Sequence, residues 1–212
     1  MFGILTGVVG AIAGAVGSVV AAAGTVVKSL AVVGLAVDGL KKMGGVLMNL
    51  AKALGLIKPQ IQVDQLGDKA IQSGYDPEQY DSYAEYVKAV EEFDDLDEER
   101  SKMIPEEEKI RKGMELATGV MIEKYKDHPV DKLCVEVGNR PDFFTEGALD
   151  ELGKLIDTDS NYISDIAGYL DGSLKDDNKM DEVVGTLSDI FKAGNPDISD
   201  DAALEAVFKA RK

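Results

Sequence analysis

Residues suited to nucleophilic chemistry are few, since the chain has a single histidine, His128, and a single cysteine, Cys134. A Cys–His pair reacts only when the two side chains touch and a third group orients the histidine. The sequence gives no sign of that third group. His128 precedes Pro129, which is typical of a helix end, and Cys134 shares an apolar face with Leu133 and Val137. The pattern therefore predicts a structural thiol and no catalytic residue.

An aspartate-rich stretch partly fits a calcium-binding loop. Four oxygen-bearing side chains match ligand positions 1, 3, 5 and 9 of such a loop: Asp157, Asp159, Asn161 and Asp165. The two strictest positions do not match, because Tyr162 replaces the turn glycine and Gly168 replaces the bidentate glutamate. Ser160 as a helix cap explains the same stretch, so the sequence predicts no metal site here.

The sequence also shows no defined site for phosphate binding or for catalysis by a pair of carboxylates. Gly-x-x-x-Gly spacings occur, but none leads from a strand to the Gly-Lys-Ser/Thr ending of a phosphate loop. With 39 acidic residues in the chain, no pair of carboxylates stands out as a general acid and base. The sequence therefore predicts no enzyme and no cofactor.

The strongest pattern lies in the first 27 residues, which carry no charged side chain. Small residues recur there at alternating steps of four and three: Gly3, Gly7, Gly10, Gly14, Gly17, Ala21 and Gly24. On a helix this spacing places them on one stripe, which we call the glycine stripe. Such stripes let two helices approach closely. Because each glycine costs a helix about 1 kcal/mol relative to alanine, the stripe predicts a helix-packing interface that offsets this cost.

Three environments could receive this helix. A bilayer fits by length, since 27 helical residues reach about 40 Å against a hydrocarbon core of about 30 Å. The interior of a large protein assembly is the second, and the core of an ordinary soluble fold is the third. The long uncharged run favours the membrane, while the high glycine and alanine content weakens that preference.

A cleaved signal peptide would be another explanation for an apolar N-terminus. Its cleavage site would be the run of small residues at 21–23. A signal peptide begins with basic residues, which are missing here, and the apolar character resumes after Lys28. We therefore expect the segment to remain in the working protein.

The apolar segment resembles two kinds of known sequence. One is the glycine-zipper helix of oligomeric membrane proteins, and the other is the Gly/Ala-rich peptide of membrane-penetrating or fusion machines. The resemblance covers residues 1–57 and is one of composition. It implies self-association or entry into a bilayer, and it implies nothing about the acidic remainder.

Charge divides the chain near residue 58. The net charge is −16, but residues 1–58 contain five lysines and one aspartate, so they carry +4 and residues 59–212 carry −20. A part this acidic argues against nucleic-acid binding. We expect a hydrophobic helical segment over 1–58, a polar connector over 59–74 and an acidic helical domain over 75–212.

The fold class predicted from these patterns is all-α. A break is expected at Gly44-Gly45, followed by a short amphipathic surface helix over 46–57. Asp76 should cap a helix that runs to about Phe93, and the acidic run at 91–99 reads as its solvated end or as a site for a basic partner. Pro105 should open the clearest helix. The remaining helices are expected at 130–137, 145–156, 160–170, 180–192 and 199–212.

These patterns predict a non-enzymatic structural component of a multi-subunit machine. Its first helix would self-associate, or pack in a membrane or inside a large complex, such as a phage tail or an injection or secretion apparatus. The expected partners are copies of the chain or other subunits, with membrane contact through residues 1–57. Two alternatives stay open: a small pore-forming or lysis protein, and a soluble helical adaptor whose first helix belongs to its own core.

Overall fold

The structure, a computed structural model, describes the backbone of residues 3–31 and 36–212, and the side-chain surroundings of residues 14–30 and 36–212. All regular structure in these ranges is helical, which confirms the all-α prediction. A 3-10 turn spans Pro77–Gln79. The eleven α-helices in the described ranges are α1 (Gly3–Ala31), α2 (Val37–Ala53), α3 (Val63–Ser73), α4 (Tyr83–Glu92), α5 (Glu98–Met103), α6 (Glu106–Lys124), α7 (Val130–Gly138), α8 (Glu146–Thr158), α9 (Tyr162–Leu170), α10 (Asp177–Gly194) and α11 (Asp200–Ala210).

Helix α6 lies at the centre of the fold, where α1, α2, α3, α4 and α7 pack against it. Its first three residues are all glutamate, which suits the positive end of the helix dipole. The core positions expected from its sequence spacing are all buried: Ile110, Met114, Ala117, Met121 and Tyr125. The helix predicted after Pro105 is confirmed.

Helices α3 and α6 cross with their backbones in contact. A Cβ atom on Gly67 would collide with the carbonyl oxygen of Lys109, and one on Gly113 would collide with the carbonyl oxygen of Val63. Both positions therefore require glycine, because the backbone of the other helix occupies the space that a Cβ atom would need.

Helix α3 occupies the segment in which the sequence suggested a polar connector, residues 59–74. Its polar residues dominate the composition, but Val63, Leu66 and Ala70 recur at three and four and form a buried face. The helix begins with a capping box formed by Gln62 and Gln65. Composition alone conceals so short an amphipathic pattern.

Helix α2 continues without interruption through Gly44-Gly45, so the predicted break is wrong. A Cβ atom on Gly44 would lie 3.0 Å from Met114 and 3.2 Å from Ile110, so the glycine allows close packing on α6. The surface helix expected over 46–57 is wrong as well, because four of its residues are at most 1% exposed: Leu47, Met48, Leu50 and Ala51. An amphipathic pattern shows that a helix has an apolar face but does not show what covers that face, which here is the core of the protein.

One hydrophobic cluster draws on both charge regions of the chain. It contains Leu30 from α1 and Leu47 from α2, together with Val183 from α10 and Val207 from α11. The change of charge near residue 58 therefore does not interrupt the packing of the described residues.

The helix starts are partly as expected. Asp76 caps only the 3-10 turn, and α4 starts later, where the Ser82 hydroxyl accepts the backbone N–H of Glu85. Ser199 caps α11, the helix expected over 199–212, by accepting the backbone N–H of Ala202. These side-chain acceptors satisfy N–H groups that a helix leaves without partners at its start.

Candidate functional site

The inward face of α1 is built from its large apolar residues. The helix packs against α6, α7 and the 3-10 turn. Five residues of this face, spaced mainly at three and four, are at most 3% exposed: Val16, Ala23, Val26, Val27 and Leu30. The described part of α1 is therefore a helix of the chain's own core on this side.

The described part of the glycine stripe lies on the opposite side of α1. Gly14 and Ala21 are exposed, while Gly17 and Gly24 are half-buried. A Cβ atom on Gly14 or Gly24 would meet no atom of the described residues within 4 Å, and one on Gly17 would lie 3.4 Å from Oε1 of Glu78. The other stripe residues lie outside the described surroundings: Gly3, Gly7 and Gly10. The role of the stripe as an interface stays a prediction.

The side of α1 that carries the stripe presents only small, uncharged residues over three helical turns. Every exposed residue of α1 between positions 14 and 25 is a glycine, alanine, serine or threonine. We call this surface the open face of α1 and define it as Gly14, Ala15, Gly17, Ser18, Ala21, Gly24 and Thr25.

The hydroxyl groups on and beside the open face are bonded to the helix itself. Ser18 donates to the carbonyl oxygen of Ala15 at 2.7 Å, and Thr25 donates to that of Ala21 at 2.9 Å. Ser29, one turn further on, donates to the carbonyl oxygen of Thr25 at 2.9 Å. The hydroxyl groups therefore already donate to the backbone of their own helix. The open face therefore presents mainly methyl and methylene groups to its surroundings.

A groove of about 320 Å³ borders the open face where α1 meets α7. Ala22, Val26 and Val135 give it apolar walls, and Asp131 and Lys132 bring charges of both signs. The groove adds a concave edge to the open face.

Cys134 lies in the core and is 0% exposed, as expected for a structural thiol. Burial, with a smaller contribution from Asp131, raises the pKa of its thiol to about 12. His128 forms a hydrogen bond to the Ser160 hydroxyl at 2.9 Å. Ser160 consequently does not cap α9, which begins after Asn161 without a side-chain cap.

We expect Cys134 to resist thiol-modifying reagents in the folded protein at pH 8. A buried thiol with a raised pKa supplies almost no thiolate, which is the reactive form. The measurement is the rate of labelling across a urea titration, which should follow the unfolding transition measured by circular dichroism. Rapid labelling in the absence of urea would contradict the burial of Cys134.

Two of the three aspartates of the partial calcium loop are engaged by other side chains, and the third, Asp159, accepts the backbone N–H of Asn161. Asp157 accepts hydrogen bonds from the Tyr125 hydroxyl at 2.7 Å and from Lys124 at 3.0 Å, and the bond from Tyr125 contributes most to lowering the pKa of Asp157. Asp165 pairs with Lys179 at 3.0 Å. Within the described residues, no cluster of three or more His, Cys, Asp or Glu side chains is arranged to hold a metal ion.

The structure also assembles a polar cluster that the sequence did not reveal. Lys109 donates to Ser101 at 2.7 Å and to Asp68 at 3.1 Å, and Ser101 donates to Asp68. A serine beside a lysine is also the arrangement of a Ser–Lys nucleophile. The residues come from α3, α5 and α6, which are distant in the chain, so no local motif could have identified them.

The electrostatics of this cluster indicate a structural role. Burial raises the pKa of Asp68, but hydrogen bonds from Gln72, Ser101 and Lys109 outweigh burial, so the pKa is lowered overall. An ionised Asp68 accepts the hydrogen bond from the Ser101 hydroxyl and pairs with the Lys109 ammonium, which has no lone pair to serve as a base. The cluster therefore ties α3, α5 and α6 together.

In the ranges that the structure covers, we find no helix with the length and apolarity required to cross a bilayer. Comparisons with protein-family models, curated proteins and solved structures yield no match to the chain. The geometry of the molecule, and above all the open face of α1, is therefore the basis for a functional proposal.

Proposed function

We propose that the protein is a non-enzymatic structural component of a multi-subunit assembly, with the open face of α1 as its association surface. The observation that carries the proposal is the division of α1 into two faces. The large apolar residues from Val16 to Leu30 pack into the chain's own core. The opposite face is small, uncharged and left open.

The glycines of the open face support an intermolecular role. Each one costs a helix about 1 kcal/mol relative to alanine. Packing among the described residues of one chain does not require glycine at Gly14 or Gly24, because a Cβ atom at either position would meet none of their atoms within 4 Å. A second helix that packs closely against this face would require glycine there, because small residues allow the two backbones to come into contact.

The setting we propose is a large particle or machine that meets a membrane, such as a phage tail or an injection or secretion apparatus. Further copies of the chain would cover the open face. A membrane pore-former or lysis protein is the second candidate, because the first 27 residues carry no charge. A soluble adaptor is the third, because the described part of α1 belongs to a core.

Substituting leucine at both Gly14 and Ala21 is expected to abolish self-association. Both positions are exposed, so the added side chains should leave the fold intact while holding a neighbouring helix away. The oligomeric state should be measured by sedimentation velocity without detergent, and the fold by circular dichroism. The matched control is Gly185→Leu, because Gly185 is an exposed helical glycine on α10 whose added Cβ atom would also meet nothing within 4 Å.

Flotation with liposomes separates the alternatives. A chain that self-associates without vesicles and does not float with them behaves as an assembly component. Flotation combined with dye release from the liposomes would instead support the pore-former. An oligomer that survives the Gly14→Leu and Ala21→Leu substitutions unchanged would show that the open face is not the association surface.

A further inference from the structure

Two opposite charges flank the open face at different positions along the axis of α1. The carboxylate of Glu78, on the 3-10 turn, lies beside Gly17, and its Oε1 atom is 3.4 Å from the position of a Cβ atom there. Lys28 is exposed on α1, eleven residues further along. Eleven residues make about three turns and a rise of about 16 Å, so the two charges lie toward the same side of the helix. Within one chain they are too far apart to pair.

We propose that the open face of α1 docks on the open face of a second copy in an antiparallel, two-fold arrangement, an inference that rests on the proposed function. Lys28 of each copy then faces Glu78 of the other copy. A two-fold axis perpendicular to α1 makes the second helix run in the opposite direction. If the axis passes near Ala22, Gly17 of one copy lies at the same height along the helix pair as Lys28 of the other copy. The same register places Ala21 opposite Gly24 of the second copy.

Charge complementarity selects this orientation. In the antiparallel pair, both charged contacts join a lysine to a glutamate. In a parallel pair in register, Lys28 would lie beside the second Lys28 and Glu78 beside the second Glu78, and like charges at an interface are unfavourable. Small residues at the crossing and opposite charges at both ends therefore fit a second copy of this chain.

The test uses two single charge reversals, Lys28→Glu and Glu78→Lys. Each variant alone should dimerise less well, because both of its charged contacts become repulsive, and the dimer Kd should rise on the order of tenfold. An equimolar mixture of the two variants should regain the affinity of the unmodified protein. Each mixed dimer again places a lysine opposite a glutamate at both contacts. Sedimentation velocity at low salt measures all three samples.

Cross-linking tests the register independently. Ala21→Cys should form a disulfide between copies, because position 21 lies near the two-fold axis, while Gly14→Cys should not, because position 14 lies far from it. Cys134 is buried and does not compete. Equal cross-linking of both variants would indicate a parallel pair and overturn the proposal.

The outcomes also separate this inference from the proposed function. If the leucine substitutions at Gly14 and Ala21 abolish assembly but the mixture of charge variants binds no better than either variant alone, the antiparallel pair is wrong and the association surface stands. If the unmodified chain neither self-associates nor floats with vesicles, both proposals are wrong.

Discussion

Replacing Gly113 with alanine is expected to destabilise the fold by about 3 kcal/mol or more. The added Cβ atom would collide with the carbonyl oxygen of Val63, which is part of the backbone of α3. A flexible side chain could turn away, but a backbone atom cannot, so α3 would have to move as a whole. That movement would withdraw Leu66 from the core. Urea denaturation followed by circular dichroism measures the loss.

The matched control for this substitution is Gly45→Ala. Gly45 lies inside α2, and a Cβ atom there would meet nothing within 4 Å. Alanine is the better helix former, so this variant should be more stable by up to about 1 kcal/mol. Equal stability of Gly113→Ala and the unmodified protein would show that α3 and α6 do not cross in backbone contact.

Replacing Arg140 with alanine has the second-largest expected effect, a loss of about 3 kcal/mol. The guanidinium donates to the carbonyl oxygens of Ala210 at 2.6 Å and Leu170 at 3.0 Å, and to the Glu136 carboxylate at 2.5 Å. It thereby ties the C-terminal ends of α9 and α11 to α7. Without it, the two carbonyl groups lose a donor and the nearly buried Glu136 keeps only Lys212, at 2.6 Å.

Two companion variants define the effect at Arg140. Arg140→Lys should recover little stability, because one ammonium cannot reproduce the planar, multi-donor geometry of a guanidinium. Arg111→Ala should change stability by less than about 0.5 kcal/mol, because Arg111 forms only a partly exposed pair with Glu107 within α6. Thermal unfolding compares the three variants. A loss at Arg140 as small as that at Arg111 would contradict the linking role of this residue.

The sequence predicted α6 well because its helical signals agree. An acidic first turn and five apolar residues at core spacing all point to one helix, and all five residues are buried. Helix α3 escaped prediction because its apolar face is short and its closest contact is made by Gly67. A glycine adds nothing to a hydropathy pattern, so a helix crossing of this kind becomes visible only in three dimensions.

The candidate site was likewise predictable only in part. The spacing of small residues identified the glycine stripe, but it did not reveal which face of α1 the core would take. The structure places the large residues inward and leaves Gly14 and Ala21 open. The position of Glu78 beside Gly17 depends on a turn 61 residues away in the chain, so local spacing carries no information about it.

Sedimentation velocity of the unmodified full chain over a concentration series in detergent-free buffer tests the central claim most directly. If the open face of α1 is an association surface, the sedimentation coefficient should rise with concentration toward that of a defined oligomer. The Gly14→Leu and Ala21→Leu double variant should remain at the monomer value in the same series. A single monomeric species for the unmodified chain at every concentration would contradict the claim.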